Sequence, residues 1–587
     1  MPTEQPQPGP DLTGLGSAGL LADLQQLREV LARTSLGLLT PSARDSREEA
    51  RSVLRQLDDY LLPRLTRADT PLLVVVGGST GAGKSTLVNT LVGRAASPAG
   101  VLRPTTRAPV LVHHPDDRER LRSGDLLLPH LPRADVSGGV AGALRLVEDE
   151  HVPAGLVLLD APDLDSVVAM NRDLAAQLLA AADLWLFVTS AARYADAVPW
   201  AALRKAAQRR TTVVIVLDRV PPGDVEELAA DLGRMLSDNG LADAPVLTVP
   251  ETVPDAEGLL PVEAVVAVRD WLRGLGADRQ ARQAAGQRTL TGALAALRPR
   301  LERVADGLDE QADAAAARRR EADEAYQVAL ARVTEALSDG SVLRGEVLAR
   351  WQELAGTGDL LRGLEARVGR ARDRTAAWLR GRSVPAAQLE AAIETTIEAL
   401  LRTEADNAAE RASGAWRASP SGRALLDSRA SDVLPLARDL TRSSADLPER
   451  TRHVVRVWQA AVLDLVRSQA GGRRRSARLM SYGVNGLGLL VMITVFAHTG
   501  GLTGAEGGIA AGTSLIGQRL LEALLGDQAM RRLAEQARED LLDRVSRLLG
   551  EEAARYHSLL PEPAGSGAEL RSLAARIEAE QATGVRQ

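Results

Sequence analysis

Residues Gly78 to Ser85 read G-S-T-G-A-G-K-S and follow a short apolar run, Leu72–Val76, with one glycine between them. The spacing fits G-x-x-x-x-G-K-[ST], in which glycines let successive backbone N–H groups surround phosphate oxygens at a helix N-terminus. In that pattern Lys84 reaches the β- and γ-phosphates, and the hydroxyl of Ser85 ligates Mg²⁺. The stretch therefore predicts a phosphate-binding loop between a strand and a helix. The predicted nucleotide-binding residues of the loop are Gly78, Ser79, Thr80, Gly81, Ala82, Gly83, Lys84, Ser85 and Thr86.

The cation composition supports this interpretation. Of the 71 basic residues in the chain, only Lys84 and Lys205 are lysines, and all the others are arginines. A sequence that otherwise uses arginine thus places a compact ammonium where a planar guanidinium would not fit.

Short apolar runs alternate with helical stretches between Pro71 and about Arg273. Runs of this kind, apolar enough to be covered on both faces, are typical of a mainly parallel, doubly wound α/β sheet. We therefore predict an α/β domain around the loop. The predicted strands are Leu72–Val76, Val110–Val112, Leu156–Leu159, Leu184–Val188, Val213–Leu217 and Val246–Val249.

Length and composition exclude several classes of protein. The chain has 587 residues, enough for about four domain-sized units, and its 45% hydrophobic content is typical of globular proteins. The absence of cysteine excludes a disulfide scaffold, a zinc ribbon and thiol catalysis. With 71 basic and 77 acidic residues and only 7 Trp, 5 Tyr and 2 Phe, the chain lacks both a basic field and stacking platforms. We therefore expect no nucleic-acid partner.

A long uncharged run follows a helix-forming region. From about Ala277 to Gln469 the sequence is rich in Ala, Leu, Arg and Glu, which predicts long helices packed as a bundle or stalk. Leu479–Ala497 then runs for 19 residues without a charge, long enough to span a hydrocarbon core of about 30 Å. Arginines before it suit an anionic, cytoplasmic membrane face. A second run, Gly501–Gly517, is interrupted by Glu506. A membrane hairpin or shallow paddle over residues 479–517 is the prediction, and a buried core helix is the alternative.

These patterns predict seven consecutive segments. They are a flexible tail (1–18), N-terminal helices (19–70), a P-loop α/β domain (71–275), a helical stalk (276–475), a membrane-inserting hairpin or paddle (476–518), a return helix (519–560) and a polar tail (561–587).

Three segments after the loop decide the kind of nucleotide-binding protein. The first, L-R-P-T-T-R-A-P, precedes the second strand and places Thr106 where a switch loop contacts Mg²⁺ and the γ-phosphate. The second, L-L-D-A-P-D, ends the third strand and places Asp160 where a carboxylate orients Mg²⁺ through water. The third, V-L-D-R-V, places Asp218 and Arg219 where a base-reading motif sits.

With these motifs the sequence resembles the dynamin-like branch of the translation-factor-related GTPases, in particular bacterial dynamin-like proteins. Dynamins carry a switch threonine just before an Arg-x-Pro string, which corresponds to Thr106, and the aspartate of their D-x-P string corresponds to Asp160. The resemblance extends to the arrangement of the whole chain, from helix pair to return helix. It implies GTP hydrolysis with Mg²⁺, an anionic membrane lipid partner at the cytoplasmic face, and a homo-oligomer or a pair with a related GTPase. It also implies that the helices before Pro71 and after Gln518 pack together beside the GTPase domain.

The sequence departs from the family pattern at three points. The usual D-x-x-G ends in Asp163, so a second carboxylate lies near the expected γ-phosphate position and must turn away or bind a cation. The catalytic Gln-Ser that dynamins have in the phosphate loop is replaced by Thr80 and Gly81. The N-K-x-D signature lacks its guanine-pairing aspartate, because Pro221 stands there. Guanine specificity is thus implied by the resemblance alone.

The sequence leaves three functions open. The first is a membrane-remodelling NTPase in which Lys84, Thr106 and Asp160 serve hydrolysis and Ser85, Thr106 and Asp160 hold Mg²⁺. The second is a membrane-tethered switch or scaffold with little turnover, favoured by the departures above. The third is a soluble ATPase, which requires residues 479–517 to be core. Arg193 and Tyr194 follow the fourth predicted strand, where they would contact the nucleotide or a dimer partner.

Overall fold

The computed structural model of the protein contains two compact units. The first unit comprises the chain up to Leu36, residues Pro41 to Glu310 and the C-terminal residues from 563, and the second comprises Gly37–Thr40 and residues 311–562. The structure describes residues 18–66, 70–98, 108–122, 128, 131–134, 143–166, 168–339, 342, 346–347, 349–350, 384–430, 439–469, 527–562 and 564–584.

The first unit is built around an eight-stranded sheet in the order β3-β4-β2-β5-β1-β6-β7-β8. Neighbouring strands are parallel, except that β2 pairs antiparallel with β5. The mainly parallel sheet predicted from the sequence is therefore confirmed. The strands are β1 (Leu72–Gly78), β2 (Val110–His113), β3 (Arg133–Ala134), β4 (Leu144–Glu148), β5 (Leu156–Asp160), β6 (Leu184–Ser190), β7 (Thr212–Val220) and β8 (Val246–Pro250).

All six predicted apolar runs form strands, but β3 and β4 were not predicted. β4 reads L-R-L-V-E and lies next to the short edge strand β3. After the buried Leu144, its next three residues are only partly buried and Glu148 is exposed. A strand of this kind lacks the continuous apolar run by which a doubly buried strand is recognised.

Alternate residues of the central strands supply two cores, one on each face of the sheet. Leu73 and Val75 of β1 point to one core, while Val74 and Val76 point to the other. Helices cover both faces. In the order of the chain, those between and after the strands are α4 (Lys84–Val92), α5 (Arg118–Arg122), α6 (Ala169–Ala180), α7 (Ala197–Gln208), α8 (Val225–Asp238) and α9 (Val266–Ala277), with 3₁₀ turns at Pro115–Asp117 and Val262–Val265.

A separate helical cluster completes the first unit. It joins the N-terminal helices to the C-terminal helix, because Leu24 and Leu27 are buried in the same apolar cluster as Leu570 and Leu573. The helices of this cluster are α1 (Ala18–Arg33), α2 (Ala43–Gln56), a π-helical turn (Leu57–Leu61), α3 (Leu62–Thr66), α10 (Arg279–Ala295), the part of α11 (Leu297–Ser338) up to Glu310, and α16 (Gly567–Gly584).

All the regular secondary structure that is described in the second unit is helical. Its core contains Trp416, Trp458 and Tyr556, and the ring of Tyr556 packs edge-on against Trp416 at a centroid distance of 5.3 Å. Its helices are α11 from Gln311, α12 (Val384–Arg417), α13 (Pro420–Ala430), α14 (Leu447–Gln469) and α15 (Asp527–His557).

No helix within the described ranges combines the length and the apolar character needed to cross a bilayer. The predicted membrane segment, residues 476–518, lies outside the described residues and stays a prediction.

Candidate phosphate-binding site

The glycine-rich loop lies between the central strand β1 and the N-terminus of α4, as its sequence predicts. Two of its glycines are required by close contacts. A Cβ atom on Gly78 would lie 2.0 Å from the backbone oxygen of Val188, and one on Gly83 would lie 2.2 Å from Oδ2 of Asp218. Gly83 also has a φ of 96°, in the left-handed region that side chains rarely adopt. The loop therefore packs its backbone directly against strands β6 and β7.

Lys84 is buried, and the Nζ atom uses three acceptors. It donates to the backbone oxygens of Gly78 at 3.1 Å and Ser79 at 2.9 Å, and to Oδ1 of Asp163. An ammonium group has three donors, so all of its hydrogen-bonding capacity is engaged. The residue that departs from the D-x-x-G pattern thus binds a cation, one of the two outcomes that the sequence allows.

Ser85 and Asp160 form the part of the site that fits a metal ion. The Ser85 hydroxyl donates to Oδ2 of Asp160 at 2.6 Å, and the Ser97 hydroxyl donates to the same oxygen. Oδ1 of Asp160 is buried and has no hydrogen-bond partner in the described part of the chain. Burial raises the pKa of Asp160, although the hydrogen bonds from Ser85 and Ser97 and the charge of Lys84 lower it. Hydroxyl and carboxylate oxygens are hard ligands, so this pair fits Mg²⁺.

Asp165 and Arg193 hold Thr80. The carboxylate of Asp165 accepts hydrogen bonds from the Thr80 backbone N–H at 2.5 Å and from its hydroxyl at 2.6 Å. The Arg193 guanidinium donates to the Thr80 carbonyl at 2.6 Å and to Asp165 at 3.1 Å. Burial raises the pKa of Asp165, but the hydrogen bonds from Thr80 and the charge of Arg193 outweigh it, so the pKa is below its ordinary value. The middle of the loop is therefore fixed by an ion pair.

Asp218 and Arg219 lie behind the loop, at the end of β7. The Arg219 guanidinium donates to the carbonyl of Gly81 at 3.1 Å, and its backbone has a positive φ of 57°. Asp218 is buried, and burial raises its pKa to about 6, against the opposing effects of the Arg219 charge and backbone N–H. The structure thus brings both candidate base-reading residues into contact with the phosphate loop.

The structure places most predicted site residues together. The loop residues, Asp160, Asp218 and Arg219 gather at the carboxyl ends of the parallel strands, while Thr106 lies outside the described residues. Sequence reasoning missed the roles of Ser97 and Asp165. Asp165 had a signal, because the string D-A-P-D-L-D, which starts at the last residue of β5, repeats acidic residues, whereas Ser97 had none.

This fold and this loop define an α/β domain with a P-loop between its central strand and the following helix. The sequence model of the Dynamin family matches residues 74–127, which include the phosphate-binding loop, α4 and β2. The resemblance to the dynamin family inferred from the motifs is therefore confirmed.

Similar solved structures include bacterial dynamins. One, described as an oligomerised bacterial dynamin pair that provides a mechanism for the long-range sensing and tethering of membranes, is 10% identical over 97% of this chain and 95% of that chain, with a TM-score of 0.39. LeoA, a bacterial dynamin GTPase from ETEC, is 10% identical over 98% of this chain and 99% of its own, with a TM-score of 0.23. A comparison with curated protein sequences gives no match. Similarities at this level assign no function.

Proposed function

We propose that this protein is a dynamin-like GTPase that hydrolyses GTP with Mg²⁺ and couples its nucleotide state to a membrane. The observation that carries the proposal is the arrangement of Lys84 beside the Ser85–Asp160 pair. It supplies a buried cation for phosphate oxygens and, from the next residue of the same helix start, an oxygen donor set in which one carboxylate oxygen has no hydrogen-bond partner among the described residues. A P-loop that only turned the chain would need neither.

The residues of the site have distinct roles in hydrolysis. Backbone N–H groups of the loop and Lys84 neutralise charge on the β- and γ-phosphates while water attacks the γ-phosphorus and the bond to the β-phosphate oxygen breaks. Ser85, Asp160 and Thr106 are the residues that would hold Mg²⁺. When bound, this ion supplies a Lewis acid for the developing charge. Arg193 and Asp165 keep Thr80, and with it the loop backbone, in place.

The position of Arg219 supports the proposal that a nucleotide base binds next to the loop. Arg219 is the last residue but one of β7, where the lysine of N-K-x-D stands in the family, and it contacts the loop carbonyl of Gly81. A guanidinium is planar and stacks on aromatic rings, so it offers a face for a purine. The aspartate that pairs with guanine is replaced by Pro221. We therefore propose GTP as the substrate from the family resemblance, and a comparison of GTP with ATP tests it.

Membrane association is proposed from the sequence of residues 479–497, which carries no charge and follows a cluster of arginines. We place the protein at the cytoplasmic face of the membrane, with anionic lipid as partner and a second GTPase domain, from the same or a related chain, completing the active site.

One observation favours a second candidate, a membrane-tethered switch with little turnover. Asp163 pairs with Lys84, so the cation that should meet the γ-phosphate already has a negative partner. The dynamin glutamine is also absent from the loop, where Thr80 stands.

Phosphate release from GTP and from ATP by the full-length protein, with and without anionic liposomes, tests the proposal. The chain offers a matched pair of variants, because Lys84 is buried in the loop and Lys205, the other lysine, is exposed on α7. We expect GTP-selective turnover that rises on liposomes, is lost in Lys84→Ala and is unchanged in Lys205→Ala.

The other outcomes separate the candidates. Nucleotide binding that depends on Lys84, without a response to lipid, would eliminate remodelling and leave the switch. A preference for ATP would overturn the assignment of GTP as substrate. Equal losses in both lysine variants would show that the effect is not specific to the loop.

A further inference from the structure

Two donors of the phosphate loop are engaged by carboxylates from one segment, Asp160–Asp165, which we call the acidic segment. Asp163 accepts from Nζ of Lys84, and Asp165 accepts from the backbone N–H of Thr80. A buried ammonium and a loop N–H are the kinds of donor with which such a loop binds phosphate. The chain therefore supplies its own anions to its phosphate site.

The contacts of Lys84 show which of its partners can be exchanged. Two of its three acceptors are backbone oxygens, of Gly78 at the end of β1 and of Ser79 next to it, and both are fixed by the fold of the loop. The third is the side chain of Asp163, which is 21% exposed and so is in contact with solvent. Because an ammonium has three donors, a phosphate oxygen can bind Lys84 only by replacing one acceptor, and Asp163 is the one free to leave.

The backbone of the acidic segment keeps Asp163 close to Lys84. Ala161 donates its N–H to the Val76 oxygen at 3.1 Å, and Leu164 donates to the Gly78 oxygen at 3.3 Å. These hydrogen bonds lie on either side of Asp163 and tie the segment to β1. An anion tethered in this way acts at high effective concentration, so it competes with a free ligand far better than a dissolved carboxylate would.

We infer that Asp163 competes with the nucleotide phosphates for Lys84 and thereby sets the nucleotide affinity of this site. Binding requires the carboxylate to leave Lys84. The observed nucleotide affinity is therefore the intrinsic affinity multiplied by the fraction of molecules in which the carboxylate has left. If it stayed nearby, its charge would repel the phosphates instead. The inference rests on the proposed nucleotide binding, but on neither hydrolysis nor base selection.

Calorimetric titration of the full-length chain, with Mg²⁺ present, tests the inference. The ligands are the slowly hydrolysed analogues GTPγS and ATPγS, so turnover does not enter. Asp163→Asn keeps the shape of the side chain and removes its charge, whereas Asp163→Glu keeps the charge. Asp231→Asn removes an equivalent carboxylate from α8, where Asp231 pairs with Tyr194 and Arg234.

We expect Asp163→Asn to bind both analogues about tenfold more tightly than the natural protein, by the same factor for each base. Asp163→Glu and Asp231→Asn are expected to bind like the natural protein. Asp163→Ala provides a second uncharged variant, and thermal unfolding without nucleotide verifies that each variant is folded.

The alternative results are decisive. Unchanged or weaker binding in both uncharged variants would overturn the inference while leaving nucleotide binding itself intact. Tighter binding of only one of the two analogues would also overturn the inference, because competition for Lys84 involves the phosphates alone, which both analogues share. If the natural protein bound neither analogue and Asp163→Asn bound both, the inference would be supported. If no variant bound any analogue, both the inference and the proposed function would fail.

Discussion

Gly78 and Gly93 both have positive φ angles, yet only Gly78 has no room for a Cβ atom. At Gly78 that atom would lie 2.0 Å from the backbone oxygen of Val188, whereas nothing lies within 4 Å of it at Gly93. We expect Gly78→Ala to lower the free energy of unfolding by at least about 3 kcal/mol, because β1 or β6 must move. Gly93→Ala should cost only about 1–2 kcal/mol, from backbone strain.

Urea unfolding followed by tryptophan fluorescence measures both variants, since Trp185 lies in β6. Equal losses would mean that the positive φ, rather than the contact with Val188, determines the need for glycine at the loop.

Asp218 makes the stability of the first unit depend on pH. Its pKa in the folded protein, about 6, exceeds the ordinary value of 3.8, so the folded state binds the proton more tightly than the unfolded state. This contribution is fully present below about pH 4 and is lost as the pH rises through 6. We expect the stability of Asp218→Asn relative to the natural protein to increase by about 2 kcal/mol between pH 4 and pH 7.

Unfolding in urea at a series of pH values, without nucleotide, measures this difference. A difference between the two proteins that is the same at every pH would contradict the raised pKa of Asp218.

Sequence spacing predicts the residues of a site when they are close together in the chain, and it predicts the others poorly. The loop from Gly78 to Thr86 is one local pattern, and Asp160 follows from its place at the end of a strand. The bond from Ser97 to Asp160 joins residues 63 positions apart, and that from Arg193 to Thr80 joins residues 113 apart. Such contacts depend on how the strands are ordered in the sheet, which the local pattern does not contain.

At the scale of elements, the dependence on strand order also explains why the antiparallel pairing of β2 with β5 was not predicted. β2 and β5 are both apolar up to their last residue, and their predicted runs are confirmed as strands. Their relative direction depends on the connections at both ends of each strand rather than on the strands themselves. A parallel sheet was therefore predicted correctly in general, but the reversed strand was not.

In the second unit, a buried carboxylate on α15 connects this helix to α14 and to the residues just before α14. Glu552 on α15 is fully buried and accepts from Arg450, Arg555 and the backbone N–H of Ser444, each at 2.8 to 2.9 Å. Its neighbour Glu551 also pairs with Arg450, but its side chain is 66% exposed. We expect Glu552→Ala to cost about 1–3 kcal/mol, because the Ser444 N–H loses its acceptor and the part-buried guanidinium groups of Arg450 and Arg555 lose a shared carboxylate. Glu551→Ala should cost less than about 1 kcal/mol.

Thermal unfolding of the two neighbouring variants provides the comparison. Similar midpoints for both would mean that burial of Glu552 does not strengthen its contacts.

At the scale of the molecule, the first unit is completed by the far end of the chain. α16 packs against α1 and α10, so residues more than 500 positions apart share one apolar cluster. The Arg576 guanidinium adds a hydrogen bond to Asp23 at 2.7 Å. We expect a long-range contact of this kind to form late in folding, because the entropy of closing a long loop must be overcome before the contact is made. We also expect the N-terminal helices to depend on α16 for their stability, because they share its apolar cluster.

Leu573 tests this dependence, because its side chain on α16 is 1% exposed and lies in that cluster. We expect Leu573→Ala to destabilise the cluster by about 2–5 kcal/mol and to accelerate amide hydrogen exchange in α1, Ala18–Arg33. Ser572→Ala changes the exposed neighbour and should leave exchange in α1 unaltered. If exchange rose in α16 but not in α1 of the leucine variant, the N-terminal helix would be stable without the C-terminal one, and the first unit would not need both ends of the chain.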